Sequence, residues 1–163
     1  MAKRIIFLDV DGVLNIMSKS YNTLEIRKDR PNIYIEPHLV RRLEWLMDKT
    51  GADIVVSSSW RYDMDELKKQ MEASGFTKWD RVIGKTTYNL DHRGEQILDW
   101  LNNNSDKWDR YVVIEDEIRD ICEEGCEYIP KSNVVEVDSK NGLLHQDVVK
   151  AMSILIRPLD EDY

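Results

Sequence analysis

The chain has 163 residues and a formal net charge of −8, with 42% hydrophobic and 33% charged residues, a composition suited to one globular core and short for two. The acidic excess argues against a broad nucleic-acid-binding face, which needs clustered Lys and Arg. No stretch approaches the roughly 18 consecutive apolar residues of a membrane helix, and Met1-Ala2-Lys3-Arg4 runs straight into a strand pattern without a signal-peptide core. The expectation is therefore a cytoplasmic protein with no membrane partner and no evident obligate protein partner.

Residues 4–9 predict the first strand, a β-favouring apolar run, Ile5-Ile6-Phe7-Leu8, that ends abruptly in Asp9-Val10-Asp11-Gly12. Carboxylates at i and i+2 repel each other and suffer desolvation unless a cation neutralises them or one keeps its proton. Taken alone, the Asp-x-Asp-Gly run is equally a solvated turn, so the later elements must decide. Residues 15–36 form an insert with room for a flap but not for a folded cap. From Ile16 to Arg42, six basic residues (Lys19, Arg27, Lys28, Arg30, Arg41 and Arg42) face three acidic ones, whereas Asp109 to Tyr163 carries 14 acidic and six basic residues. An anionic substrate is more welcome at the insert than at the C-terminal third.

A helix is expected at 37–49, with Leu39, Leu43, Leu46 and Met47 at helical spacing and Gly51 just past its end. A strand at 53–57 follows, then a helix at 63–74, a short strand at 81–84, and a helix from Arg93 to Asn102. A fourth strand at 110–114 again runs into acid, at Glu115-Asp116. A short helix at 117–124, a strand at 133–137 and a helix at 145–156 close the series. Such alternation implies βαβ units, an α/β class and a mostly parallel five-stranded sheet. Cys122 and Cys126, four apart in the expected short helix, are read as reduced thiols, since a disulfide there is strained and two ligands make no zinc site.

Three apolar strands thus end in polar groups: Asp9 and Asp11, then Ser57-Ser58-Ser59, then Glu115-Asp116. In a parallel sheet these ends share one side of the molecule. Arg93 opens a helix, where exposed N–H groups also favour an anion. Carboxylates, hydroxyls and a cation at one sheet edge suit a divalent metal together with a phosphate.

These residues resemble the haloacid dehalogenase (HAD) superfamily of aspartyl-phosphate phosphatases. Asp9-Val10-Asp11-Gly12-Val13-Leu14 resembles its first motif, Val55-Val56-Ser57 the second, Arg93 the basic third and Glu115-Asp116-Glu117-Ile118-Arg119-Asp120 the acidic fourth. The longer runs Phe7 to Asn15, Val56 to Arg61 and Arg93 to Leu101 are similar to the compact HAD domains of Swiss-Army-knife RNA repair proteins, and the likeness extends over residues 4–155. The resemblance implies a Rossmann-like fold with a minimal cap, one phosphatase domain over 1–163 with 15–36 as its flap, and Mg²⁺ as cofactor.

It also implies roles. Asp9 would attack phosphorus, and Asp11 would protonate the leaving oxygen and then deprotonate the attacking water. Mg²⁺ would be held by Asp9, the Asp11 carbonyl and Asp116. The fourth motif departs from its common forms by starting with Glu115, which places Asp116 first as ligand and Glu115 behind it; Asp120 either orients a partner or is a solvated helix acid. Ser57, with Ser58, would bind phosphoryl oxygens, and Arg93 would stabilise the transferring group. Arg61 is either a bidentate phosphate clamp or a surface ion-pair member, and Lys85 is an alternative to Arg93. Trp60 and Tyr62 either stack a base or sugar or simply pack; His92 has no assigned role.

A minimal cap implies an open site, suited to a phosphate presented on something large. The leading expectation is a phosphomonoesterase of RNA or DNA ends, most plausibly of a 3′-phosphate, with Lys19, Arg27, Lys28 and Arg30 guiding the backbone. The alternatives are a phosphatase of mononucleotides or small metabolites, and a catalytically silent HAD-like binding module.

Overall fold

The computed structural model of the chain describes residues 2–16 and 35–157. The proposed flap and its Lys19, Arg27, Lys28 and Arg30 lie outside the described residues. Five strands form one sheet: β1 (Arg4–Leu8), β2 (Asp53–Val56), β3 (Val82–Lys85), β4 (Arg110–Glu115) and β5 (Val134–Glu136). Their order is β3-β2-β1-β4-β5, and every pairing is parallel. Among the described residues, four α-helices lie between successive strands, α1 (Pro37–Thr50), α2 (Met64–Ala73), α3 (Arg93–Asn103) and α4 (Arg119–Cys122), and α5 (His145–Leu155) follows β5.

Local chemistry sets most of these boundaries. Pro37 opens α1 with its φ already suited to a helix. Gly51 closes it in the left-handed conformation at φ 70°, donating its N–H to Met47 O at 2.8 Å. Asp63 caps α2 by accepting the Glu66 N–H at 3.1 Å. The short helix begins two residues later than expected and stops at Cys122, so Cys126 lies beyond it; both cysteines are free thiols.

Alternation along the buried strands feeds two cores. Ile6, Leu8, Ile54, Val56, Val112 and Ile114 point to the face covered by α1, α2 and α5, which contribute Leu39, Leu43, Leu46, Leu67, Met71 and Leu155. Ile5, Phe7, Val55 and Val113 point the other way, onto Ile97, Trp100 and Leu101 of α3 and Ile121 of α4. Phe7 meets Trp100 edge-on at 5.5 Å.

The strand order fixes where a site can form. The chain builds outward from β1 through β2 to β3, then crosses to the other side of β1 for β4 and β5. The reversal lies between β1 and β4, and a crevice opens beyond their carboxyl ends. Asp9 follows β1 and Glu115 ends β4 at that place.

Candidate active site

Asp9 continues β1 by donating its N–H to Ile114 O at 3.1 Å, and only 6% of the residue is exposed. Beyond it the chain turns tightly, with the Val13 and Leu14 N–H groups both on Val10 O. Gly12 stands in this turn at φ 83°, and a Cβ there would run into the Asp116 carboxylate. Asn15 closes the turn, its Oδ1 accepting the Gly12 N–H at 2.8 Å while its Nδ2 donates to Asp11 Oδ1 at 2.8 Å. Trp60 Nε1 donates to the same Asp11 oxygen at 3.1 Å. Two donors from different loops therefore aim the Asp11 carboxylate.

Carboxylate oxygens of Asp9, Glu115 and Asp116 all lie within 4.8 Å of one another. Burial pushes the Asp9 carboxyl from 3.8 up to about 7, against the pull of a hydrogen bond to Glu115 and the charge of Arg93. Burial, and next the charge of Asp9, hold Glu115 well above the usual carboxylate range. Two buried carboxyls and a partly buried third are thus crowded together, and protons or a cation must neutralise them. Three oxygen ligands make a cluster that can hold a metal ion, and the donor set is that of a hard cation.

Arg93 ties the strand ends together. Its Nη1 donates to Glu115 Oε2 at 3.1 Å, lies 3.5 Å from Asp9 Oδ1, and also donates to the Ser57 carbonyl. Asp120 Oδ2 accepts the Arg93 backbone N–H at 2.8 Å, capping α3 from another element. The cap requires α3 and α4 to touch, and Gly94 permits it: a Cβ there would sit 2.8 Å from Tyr128 Cβ and 2.9 Å from Asp120 O.

The β2 end offers hydrogen-bond donors and a cation instead of carboxylates. The Ser57 N–H bonds Leu8 O at 2.9 Å, placing this residue beside Asp9, and its buried Oγ has no hydrogen-bond partner among the described residues. Ser58 has a different task, its Oγ accepting the Trp60 N–H at 3.2 Å to cap the 3-10 turn 59–62. Arg61 ends up inside, 4% exposed; Nη1 bonds Ser58 O at 2.9 Å and Nε has no partner among the described residues. Burial, and after it the charge of Arg93, lower its pKa. Lys85 turns away to bond Arg61 O and the Tyr88 hydroxyl.

The structure thus brings together Asp9, Asp11, Ser57, Arg93, Glu115 and Asp116. Glu115 belongs inside the acidic cluster and not behind it, Asp120 serves the Arg93 backbone, and Arg61 is buried rather than a surface ion-pair member. Trp60 packs partly on the core and holds Asp11, so it is not an open stacking surface. Sequence reasoning missed Asn15 as an orienting group, Gly94 as a contact and Tyr88 altogether.

An α/β sheet with paired acids at its switch point, a hydroxyl on the neighbouring strand and a basic residue opening the helix before β4 is the arrangement of the HAD fold. A family model for the HAD domain in Swiss Army Knife RNA repair proteins matches residues 5–148, and the chain belongs to that family. No curated protein and no solved structure matches the chain. Among the described residues, no helix is long and apolar enough to cross a membrane.

Proposed function

We propose that the chain is a Mg²⁺-dependent phosphomonoesterase that works through a phospho-aspartyl intermediate on Asp9 and acts on polynucleotide ends, releasing a 3′-phosphate. The observation that carries this reading is the position of Asp9. It shares an acidic cluster with Glu115 and Asp116 and adjoins the end of β2, where Ser57 Oγ has no hydrogen-bond partner and the nearby turn holds a buried Arg61 whose Nε has none either, among the described residues.

Asp9, Glu115 and Asp116 would hold the Mg²⁺ ion. When bound, the ion screens Asp9 from the phosphate it attacks. Ser57 Oγ and the Arg61 guanidinium bind phosphoryl oxygens, and Arg93 stabilises the charge passing through the transition state. Asp9 forms a bond to phosphorus as the bond to the leaving oxygen breaks, and Asp11, aimed by Asn15 and Trp60, gives that oxygen its proton. Asp11 then takes a proton from the water that cleaves the acyl phosphate, returning Asp9 to its carboxylate. A nucleoside 3′-oxygen is a poor leaving group, which makes the oriented acid important.

Three features support nucleic-acid ends as substrate: the RNA repair proteins that carry this family's domain, the basic residues of the insert, and the exposed aromatic residues beside Arg61. Rates on a 3′-phosphorylated oligonucleotide, 3′- and 5′-mononucleotides and an aryl phosphate, with and without Mg²⁺, test the proposal. The oligonucleotide is expected to react most efficiently, and only with the metal. Equal efficiency on mononucleotides would remove the end-processing reading, and a folded chain inactive on every ester would remove the enzymatic one.

A further inference from the structure

Tyr62 is 66% exposed, more than any other aromatic or large apolar side chain among the described residues, and Tyr88 is 41% exposed. Neither belongs to a core cluster, so packing does not account for them. Their rings are nonetheless stacked, with centroids 4.6 Å apart and planes 15° from parallel. The pair lies beyond the carboxyl ends of β2 and β3, on the catalytic side of the sheet.

The pair is fixed to the phosphate-binding candidates. Tyr62 follows Arg61 in the same 3-10 turn. The Tyr88 hydroxyl donates to Arg61 O at 2.7 Å, and Lys85 Nζ bonds both that carbonyl and the hydroxyl. The Arg61 guanidinium carbon lies 5.1 Å from the Tyr62 ring centroid and 5.5 Å from that of Tyr88, and Lys85 Nζ lies 5.0 Å from Tyr88. One turn therefore carries a buried guanidinium and, beside it, an aromatic ring buttressed on one side and largely open to solvent. Phosphate and a flat π-surface at a fixed offset are the two parts of a nucleotide.

We propose that Tyr62, backed by Tyr88, stacks the unpaired base of the nucleotide that carries the scissile phosphate, selecting nucleoside phosphates over phosphates on small aliphatic carriers. The proposal rests on the phosphatase reading above and names the group that confers substrate preference. Stacking tolerates any base, because every base offers a π-face, so the selection is for a base and not for a sequence.

The test is the ratio of kcat/KM on a 3′-phosphorylated oligonucleotide, and on a 3′-mononucleotide, to that on glycerol phosphate. Wild type, Tyr62→Ala and Tyr62→Trp are compared, with an oligonucleotide whose terminal phosphorylated residue is abasic as a further substrate. Tyr62→Ala is expected to lower the base-bearing ratios about tenfold to a hundredfold, chiefly through KM, and Tyr62→Trp to keep them. The abasic substrate should be poor for wild type and indifferent to the variants. A ratio unchanged in Tyr62→Ala, or an equal loss on the abasic substrate, overturns the proposal. If wild type treats mononucleotide and oligonucleotide alike, the end-processing reading fails, while the response of the mononucleotide ratio to Tyr62 still decides this one. Because Tyr62 is mostly exposed, the Ala variant should melt with the wild type.

Discussion

At the carboxyl edge of the sheet, the β1–β4 half gathers Asp9, Glu115 and Asp116 within 4.8 Å of one another, whereas the β2–β3 half holds Arg61 and hydroxyls with unused hydrogen-bonding capacity. Each half is electrostatically uncomfortable in its own way. Burial raises the two acids for which it keeps water away, and burial beside Arg93 lowers Arg61. Arg93 stitches the halves together but is one cation against three carboxylates. A cation on the acidic half and a dianion on the other would relieve both at once, which is the pairing a metal-assisted phosphoryl transfer brings. Asp9 lies on the seam, so it is the place to break the contrast first.

The largest effect is expected from Asp9→Asn, which leaves shape intact and removes the nucleophile. Turnover of an aryl phosphate should fall by about 10⁴-fold or more. The same change removes a buried charge, so without divalent ions at pH 8 the variant should melt higher than wild type. Residual activity within tenfold of wild type would exclude Asp9 as the attacking group.

Next in size is the pH response of the acidic half. The unfolded chain releases the Asp9 proton near 3.8, and burial keeps it in the folded chain up to about 7. The folded state therefore binds more protons over that interval, and stability is highest below it and is lost as pH rises through it, by about 4 kcal/mol for a shift of this size. Glu115 acts in the same direction. Denaturant unfolding in EDTA should show stability declining between pH 4 and pH 7. Added Mg²⁺ should stabilise progressively more over the same range as it takes the place of protons. A flat profile in EDTA would mean that the acids are not buried as described.

On the donor half, Arg61→Ala should lower kcat/KM by about 10²-fold on any phosphate ester, and weaken inhibition by inorganic phosphate in parallel. Arg61→Lys should recover little, because a point charge cannot replace both Nε and a terminal nitrogen. A loss confined to large substrates would instead place Arg61 outside the phosphoryl cradle.

The contrast between the halves was only partly legible in the chain. Strand β1 with its terminal Asp9, the Gly51 cap and the placing of Arg93 at the start of α3 rest on local signals, and they stand where the sequence puts them. Motif spacing puts Glu115 behind Asp116, because spacing says nothing about distance. Its place is set by the β1–β4 register, which pairs Leu8 with Ile114 across the sheet. The run Ser57-Ser58-Ser59 reads as three equivalent hydroxyls, yet the 3-10 turn makes Ser58 a cap and leaves Ser57 Oγ unpartnered. Asp120 looks like any helix acid until α3 and α4 meet at Gly94. Tyr88 is hard to single out in the chain, since the ring it stacks on and the carbonyl its hydroxyl bonds both come from the β2 loop.

The smallest expected effect concerns Trp60, where two readings of one residue separate. The indole packs partly on the core, and its Nε1 reaches Asp11 at 3.1 Å across 49 positions of sequence. Trp60→Phe keeps most of the packing and deletes the hydrogen bond, a loss of about 1 kcal/mol if Asn15 alone must aim the acid. Read in kcat/KM, which ends with phosphorylation of Asp9 and leaves out the later attack of water, the loss should depend on how much the departing oxygen needs a proton from Asp11. Hydrolysis of a nucleoside 3′-phosphate, with an alkoxide to expel, should slow about fivefold. Dinitrophenyl phosphate, whose leaving group departs unprotonated, should keep the wild-type kcat/KM. A uniform decline on both substrates would show that Trp60 supports the loop as a whole and does not position Asp11.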